Sequence, residues 1–464
     1  MSALLAAAAV ALSGAAVASR ASDRGDFRAC LGILAGLGLW SSSYVVALFA
    51  FGADPRIRIA KDAALAALGI AVLLQPRPGW TARAASQGPT PRRVWPAVGG
   101  AVLLATAFFV EHTVRYPDGG WDAWGIWNLR ARFLARGGEG FRSAFSADLL
   151  FWAHVDYPLL LPGIVAQGFV LAGAEPTWLP AAVAYGFAAL AAAVPSAALR
   201  GLRGPGWAAL AAVAVLATPC FVGFAANQQA DVPIGAFLAG TFALSAFAIE
   251  RGSRRELAVA GFCASLAAWT KNEGLVYLVA LGAALLAVRW APFAQRVRAA
   301  LRYACGALPV LVLLAWFKLR VAHANDLLSH ASLDALLDTS RWAALVGALA
   351  RRLVFFQNWA LWLLAALLML LFAVVRLPAR AAPRVLGAAL ALSLAATAAV
   401  YVVQPHELSW FVRGSFDRVL TQLWPTVVLS LVLRIAAAPE ASAAPLGASA
   451  TASASHSAYI TFVS

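Results

Sequence analysis

The sequence predicts an all-α fold, a polytopic transmembrane bundle of about 13 helical spans. Three observations predict it. Hydrophobic residues make up 62% of the chain, charged residues only 12%, and the mean hydropathy is +0.76. A soluble domain carries roughly 25% charged residues, and a 464-residue soluble chain this poor in charge could not cover its own surface. The apolar residues also come in blocks of about 17–22, the length that crosses ~30 Å of hydrocarbon. Those blocks are rich in Ala, Leu and Val and lack the two-residue alternation of strands. Helices are the segments that satisfy their own backbone hydrogen bonds in lipid.

The formal net charge of +15 excludes little by itself. The arginines sit in short loops between apolar blocks, which is the positive-inside pattern and not a nucleic-acid surface. Cys30, Cys220, Cys263 and Cys305 fall in or beside apolar blocks, without metal-ligand or disulfide spacing, and read as small core residues.

In chain order, the expected spans are 3–18, 29–51, 60–75, 94–112, 178–199, 207–225, 232–249, 257–270, 274–290, 303–321, 355–375, 385–403 and 419–436. The first follows no Lys or Arg and is itself followed by Arg20, Arg24 and Arg28. That charge order is the reverse of a secretory signal, so it reads as an uncleaved helix with its N-terminus outside. The loop 76–93 carries Arg77, Arg83, Arg92 and Arg93 and no acid, which makes it cytoplasmic. The Arg-bearing loops 200–206, 250–256, 289–302 and 376–384 then share that side. This holds only if 158–173 does not cross. With Pro158, Pro162, Gly163 and Gly168 in a short stretch, it reads as an interfacial or re-entrant helix. Four regions follow: N-terminal helices over 1–93, a core over 94–290 with its outer loop 113–177, C-terminal helices over 291–437, and an Ala/Ser-rich, disordered cytoplasmic tail over 438–464.

The longest polar stretch is 113–157. Trp121, Trp124 and Trp127 recur every three residues, followed by Ala131 and Leu134, and predict a helix lying in the headgroup layer with its tryptophans as anchors. Asp122 stands at its first turn between two tryptophans. An acid there can simply favour the helix N-terminus; it can equally be a functional carboxylate. Four further clusters share the outer side: His154, Asp156 and Tyr157; Asn227 through Asp231 and Pro233; Thr270 through Gly274, with Lys271 and Glu273; and Arg413, Asp417 and Arg418. Ionisable residues at membrane depth are costly to desolvate, which favours function, although Lys271 and Glu273 could be a mutually satisfied pair. No phosphate loop, zinc spacing or Gly-x-Ser-x-Gly elbow is present.

An acid soon after an early span, an aromatic interfacial helix, Tyr157-Pro158-Leu159, then Ala230-Asp231-Val232-Pro233 opening a span and Thr270-Lys271 through Gly274: this order resembles the GT-C superfamily of polytopic glycosyltransferases, in particular the protein mannosyltransferase and aminoarabinose transferase group. The resemblance covers roughly 94–290, with Asp417, Arg418 and Pro425 beyond it. It implies an inverting transferase that takes a sugar from a polyprenyl-phosphate donor and passes it to an envelope glycan, lipid or protein on the outer face of a bacterial inner membrane. By that resemblance Asp122 is the general base, with Asp118 as fallback, and Lys271, Arg413 and Arg418 receive the phosphate. Asp156, Asp231, His154 and Glu273 bind substrate. The family's usual Asp-Glu is Asp122-Ala123 here, which leaves the exact subgroup and a metal role at the second position open. No cofactor and no metal ligand are assigned; a divalent cation is compatible with the acids. Membrane lipids are expected partners and nucleic acid is not. Two alternatives stand beside this reading: a lipid-linked sugar flippase or transporter, and an envelope polysaccharide ligase or polymerase using His406, Arg413 and Arg418.

Overall fold

The computed structural model describes residues 2–76, 94–252, 255–322, 332–354, 380–404 and 407–436, together with six positions between 365 and 372. Most of the loop 76–93, most of the expected span 355–375, His406 and the tail from 437 lie outside the described residues. What is described is helical throughout, with no strand. Eight helices are long and apolar enough to cross a membrane: Ser2–Ser19, Gly25–Phe51, Val94–Arg115, Trp178–Leu202, Asp231–Arg251, Phe293–Arg320, Ala381–Val403 and Leu408–Ile435. The protein is therefore an all-α, multi-pass membrane protein.

The remaining expected spans differ in instructive ways. Pro55–Leu74 forms where 60–75 is expected, but Arg58, Lys61 and Asp62 occupy its first half. The span expected over 207–225 is broken, Pro205–Leu216 and Pro219–Ala226 meeting at 62°. Pro219 is the reason. It drives Thr218 into an extended conformation (φ −95°, ψ 101°), as proline does to its predecessor, and it lacks the N–H that would continue the ladder. Arg255–Thr270 and Glu273–Ala287 have 16 and 15 residues and are separated only by Lys271 and Asn272. Within 158–173, expected as an interfacial or re-entrant helix and not as a span, Leu160–Ala172 forms a 13-residue helix, and most of its first ten residues are buried. It packs against Asn128–Arg136 and Gly25–Phe51.

Asp231–Arg251 is the most enclosed of the eight long helices and Val94–Arg115 the least. Around that centre, helices approach closely where side chains vanish. Gly261 and Gly306 face each other's backbones across Arg255–Thr270 and Phe293–Arg320. A Cβ on Gly261 would lie 1.8 Å from the Tyr303 carbonyl oxygen, and one on Gly306 1.8 Å from that of Ala258. In lipid, helix association depends on such contact and not on hydrophobic driving force. Gly306→Val is expected to push the two helices apart at a cost of about 1–3 kcal/mol, read as a thermal midpoint several degrees lower in detergent.

The bundle has two polar ends. At one, Arg203 forms a two-pronged pair with Glu250 (2.7 and 2.6 Å) and reaches the Leu433 carbonyl, Arg200 pairs with Asp26, and Arg251 with Asp23. Arg20 caps the end of Pro55–Leu74 through the Val72 carbonyl (2.6 Å). These residues come from the segments that the arginine pattern assigns to one side. The other end gathers Asp122, Asp156, Asp231 and Lys271.

Candidate functional site: a buried ion cluster at one end of the bundle

The first outer loop is bolted onto the turn that opens helix Asp231–Arg251. The Gly120 N–H donates to the Asn227 carbonyl (3.0 Å), His112 shares a hydrogen bond with Asn227 (2.8 Å), and the Gln228 amide donates to the Pro117 carbonyl and accepts from Asn128. Gln228 adopts a left-handed conformation (φ 57°) to make this turn. Gly119 (φ 77°) passes so close to it that a Cβ would stand 2.7 Å from the Asn227 oxygen. Pro233 sits in the first turn of the helix, where its missing N–H costs nothing.

This clamp brings Asp122 to the cluster. Asp122 makes no side-chain cap to the helix it precedes; its carboxylate meets Arg418 at 2.6 Å. The N-terminal charge is therefore held by an ion pair and not by a capping hydrogen bond. Arg418 also reaches Asp231 at 3.2 Å. Asp231 is fully buried and takes two more donors, Lys271 Nζ at 2.8 Å and the Gln422 amide at 2.6 Å. Gln422 is itself held by the Tyr277 hydroxyl (2.7 Å). Lys271 contacts Glu273 at 2.7 Å as well, so the expected local pair exists, but as one arm of a larger chain. Four segments far apart in sequence meet here as Asp122, Arg418, Asp231 and Lys271.

A second carboxylate centre adjoins the first. Asp156 is 1% exposed and receives the Asn272 amide at 2.7 Å and Lys318 Nζ at 3.1 Å, while Lys318 also donates to the Asn272 oxygen (2.9 Å) and the Asp156 carbonyl. Asn272 follows Lys271 directly, so one helix break serves both centres. The turn carrying Asp156 is fixed from below by Arg130, which donates to the carbonyls of Ala153, His154 and Tyr157 at 2.6–2.8 Å. His154 takes a left-handed conformation (φ 44°) within it. Burial pulls the Arg130 guanidinium down to about 10, partly offset by Asp156, so it stays charged at neutral pH. Burial, then Glu273, pushes the Tyr157 phenol well above its usual range, which leaves it a neutral hydrogen-bond donor. Lys271 Nζ lies 5.9 Å from the centre of the Tyr157 ring, a contact between the two centres.

The tryptophan row is corrected. Trp127 is fully buried and lies flat against Tyr157 (centroids 5.3 Å apart, 2° between planes), with His154 stacked on the same Tyr157 ring. Trp121 and Trp124 remain about half exposed. The cause is the backbone: Ala123–Trp127 is a π-turn, and its wider helical path does not keep a three-residue spacing on one face. Trp127 instead joins Ala131 and Leu134 on the inward side, and only the first two tryptophans remain as surface groups.

Asp118 does not join the cluster; it is exposed and faces Arg132 at 3.6 Å. Arg413, five residues before Arg418, is exposed, and its charge acts on Glu407. Of the expected residues, Asp122, Asp156, Asp231, Lys271, Glu273, Arg418 and His154 converge. The sequence reading missed Lys318, Gln422, Tyr277, Asn272 as a ligand, and Arg130. For Lys318 a signal existed. The chain has only three lysines among its 36 basic residues, and each one, Lys61, Lys271 and Lys318, is paired with a buried carboxylate.

Among the described residues no three His, Cys, Asp or Glu side chains are grouped as a metal site; each carboxylate of the cluster instead faces a Lys or Arg. Comparison of the chain with protein-family models, curated proteins and solved structures gives no match.

Proposed function

We propose that the protein is a membrane glycosyltransferase of GT-C type. It moves a sugar, with inversion, from a polyprenyl-phosphate carrier to an envelope glycan, lipid or protein on the non-cytoplasmic face of a bacterial inner membrane. The supporting observation is the continuous chain Asp122, Arg418, Asp231 and Lys271 at the bundle end opposite the arginine-paired loops. It sets a carboxylate that can act as base beside two cations that can receive phosphate.

In this reading the acceptor hydroxyl attacks the anomeric carbon while Asp122 takes its proton, as a base within hydrogen-bond reach does. The carbon–oxygen bond to the carrier breaks on the opposite side, and its electron pair leaves with the polyprenyl phosphate. Arg418 and Lys271 hold that growing charge, Arg418 being suited to two-pronged contact with phosphate. The donor phosphodiester brings one negative charge and competes with Asp122 for Arg418. Donor binding thereby frees Asp122 to accept a proton. Asp156, Lys318 and Asn272 hold sugar or acceptor hydroxyls. The bundle's thirteen-span count belongs to the same proposal.

A second reading, a lipid-linked sugar flippase, is favoured by one observation. Lys61 and Asp62 form a buried pair at 2.5 Å within Pro55–Leu74, tied to Gln167 (2.8 Å) and Trp40 (3.0 Å), and buried ionisable residues within spans often mark transport paths.

Mass analysis of envelope glycans from cells with and without the protein tests the proposal. Loss of one sugar substituent, restored by the wild-type gene, is the expected result. An unchanged set of envelope structures would sink it.

A further inference from the structure

Three exposed tryptophans flank the cluster. Trp121 touches Trp124 (centroids 5.6 Å) and Trp152 (6.4 Å), and all three are 45–61% exposed. Trp121 immediately precedes Asp122. Trp152 precedes the His154–Tyr157 turn that carries Asp156. The patch thus bridges the two loops that deliver the two carboxylate centres. The Trp121 ring lies over Gly125, where a Cβ would come within 3.5 Å of it, so its orientation is set by the π-turn.

Membrane anchoring alone accounts poorly for this arrangement. Interfacial tryptophans place an apolar body at headgroup level, and the surface has other exposed tryptophans at Trp95, Trp178 and Trp410. The trio differs because Trp121 contacts both of the other rings and directly precedes Asp122 in the chain. The ion cluster below it pairs each carboxylate with a cation, so it presents no excess charge to attract a highly charged acceptor. Each exposed ring face, inclined to its neighbour at 61° (Trp121 and Trp124) or 45° (Trp121 and Trp152), matches one face of a pyranose, whose ring C–H groups are apolar and whose hydroxyls point outward. Ligand sites combine aromatic walls with a few placed polar groups in this way.

We propose that Trp121, Trp124 and Trp152 form a stacking platform for neutral sugar rings of the acceptor, which makes the acceptor a glycan. The inference rests on the transferase reading and narrows it. The platform holds the acceptor saccharide across the two loops, and the terminal hydroxyl drops toward Asp122.

The test is binding without turnover. Purified protein in lipid nanodiscs is applied to an array of neutral gluco-, manno-, galacto- and arabino-oligosaccharides beside Ser/Thr-containing peptides. Wild type is expected to bind at least one oligosaccharide class. Trp121→Ala and Trp152→Ala should bind it at least tenfold more weakly, and Trp178→Ala as tightly as wild type. Footprinting of the wild-type protein gives a readout independent of variant folding. The bound oligosaccharide should protect Trp121, Trp124 and Trp152 from N-bromosuccinimide oxidation and leave Trp178 and Trp410 reactive. Binding of peptides only, of no oligosaccharide, or equally by the Trp variants, or protection that spares the trio, overturns the platform. Failure of the transferase reading looks different: the oligosaccharide still binds, but no sugar is transferred.

Discussion

Asp122→Asn is expected to abolish sugar transfer while the protein still reaches the membrane in normal amount. Removing a general base costs about 10²–10⁴-fold in rate, equivalent to roughly 3–5 kcal/mol of barrier at 1.36 kcal/mol per decade. Asn keeps the shape of Asp and can still accept a hydrogen bond from Arg418. Arg418 also retains Asp231 at 3.2 Å, so no cation is stranded. The fold should therefore melt close to wild type. Asp118→Asn is the control, because Asp118 is exposed and faces Arg132 at 3.6 Å, away from the cluster; its transfer rate should be unchanged. Transfer rates and detergent melting curves for the two variants check both halves. Wild-type transfer by Asp122→Asn would remove Asp122 from the chemistry.

Lys271→Met is expected to cost stability as well as activity. It leaves Asp231, fully buried, facing Arg418 and Gln422 without its closest cation, and it strips Glu273 of a partner at 2.7 Å. Breaking a buried ion pair from one side costs about 3–5 kcal/mol. Neutralising both partners is far cheaper, since the desolvation penalty goes with the charges. The double variant Asp231→Asn, Lys271→Met should therefore regain most of the lost thermal stability. It should remain inactive, because the phosphate has lost one of its two cations. Thermal midpoints of the two single variants and the double variant, measured in the same detergent, form the cycle. A double variant that loses the sum of the two single losses would mean that the two residues are not energetically coupled.

Much of the fold was legible because hydrophobic blocks and arginine loops are local features. Ser2–Ser19, Trp178–Leu202, Asp231–Arg251 and Ala381–Val403 lie close to where block length puts them. Pro219 was visible too, but its effect, a break of 62° within one apolar block, depends on geometry that composition does not carry. The π-turn at Ala123–Trp127 reversed the role of Trp127 for the same reason: a periodicity argument presumes the period. Among the site residues, Asp122, Asp231 and Lys271 stood out as charges beside apolar blocks. Gln422 and Tyr277 did not, because neutral polar residues in an apolar helix look like tolerated exceptions until their partners are known. Lys318 was masked by position, at the end of Phe293–Arg320 beside Arg320, where a basic residue reads as an interface anchor. That Arg418 would join Asp122 to Asp231 across 296 and 187 residues of chain is a property of the packed bundle alone.

The most direct measurement uses purified protein in proteoliposomes with synthetic polyprenyl-phosphate sugars and an envelope glycan extract, following both free polyprenyl phosphate and new glycosidic bonds. A glycosyltransferase releases one polyprenyl phosphate for each bond formed, with inverted anomeric configuration, and Asp122→Asn does neither. Movement of the intact carrier-linked sugar across the bilayer, with no carrier released and no bond formed, would contradict the transferase reading and leave the ion cluster as part of a transport path.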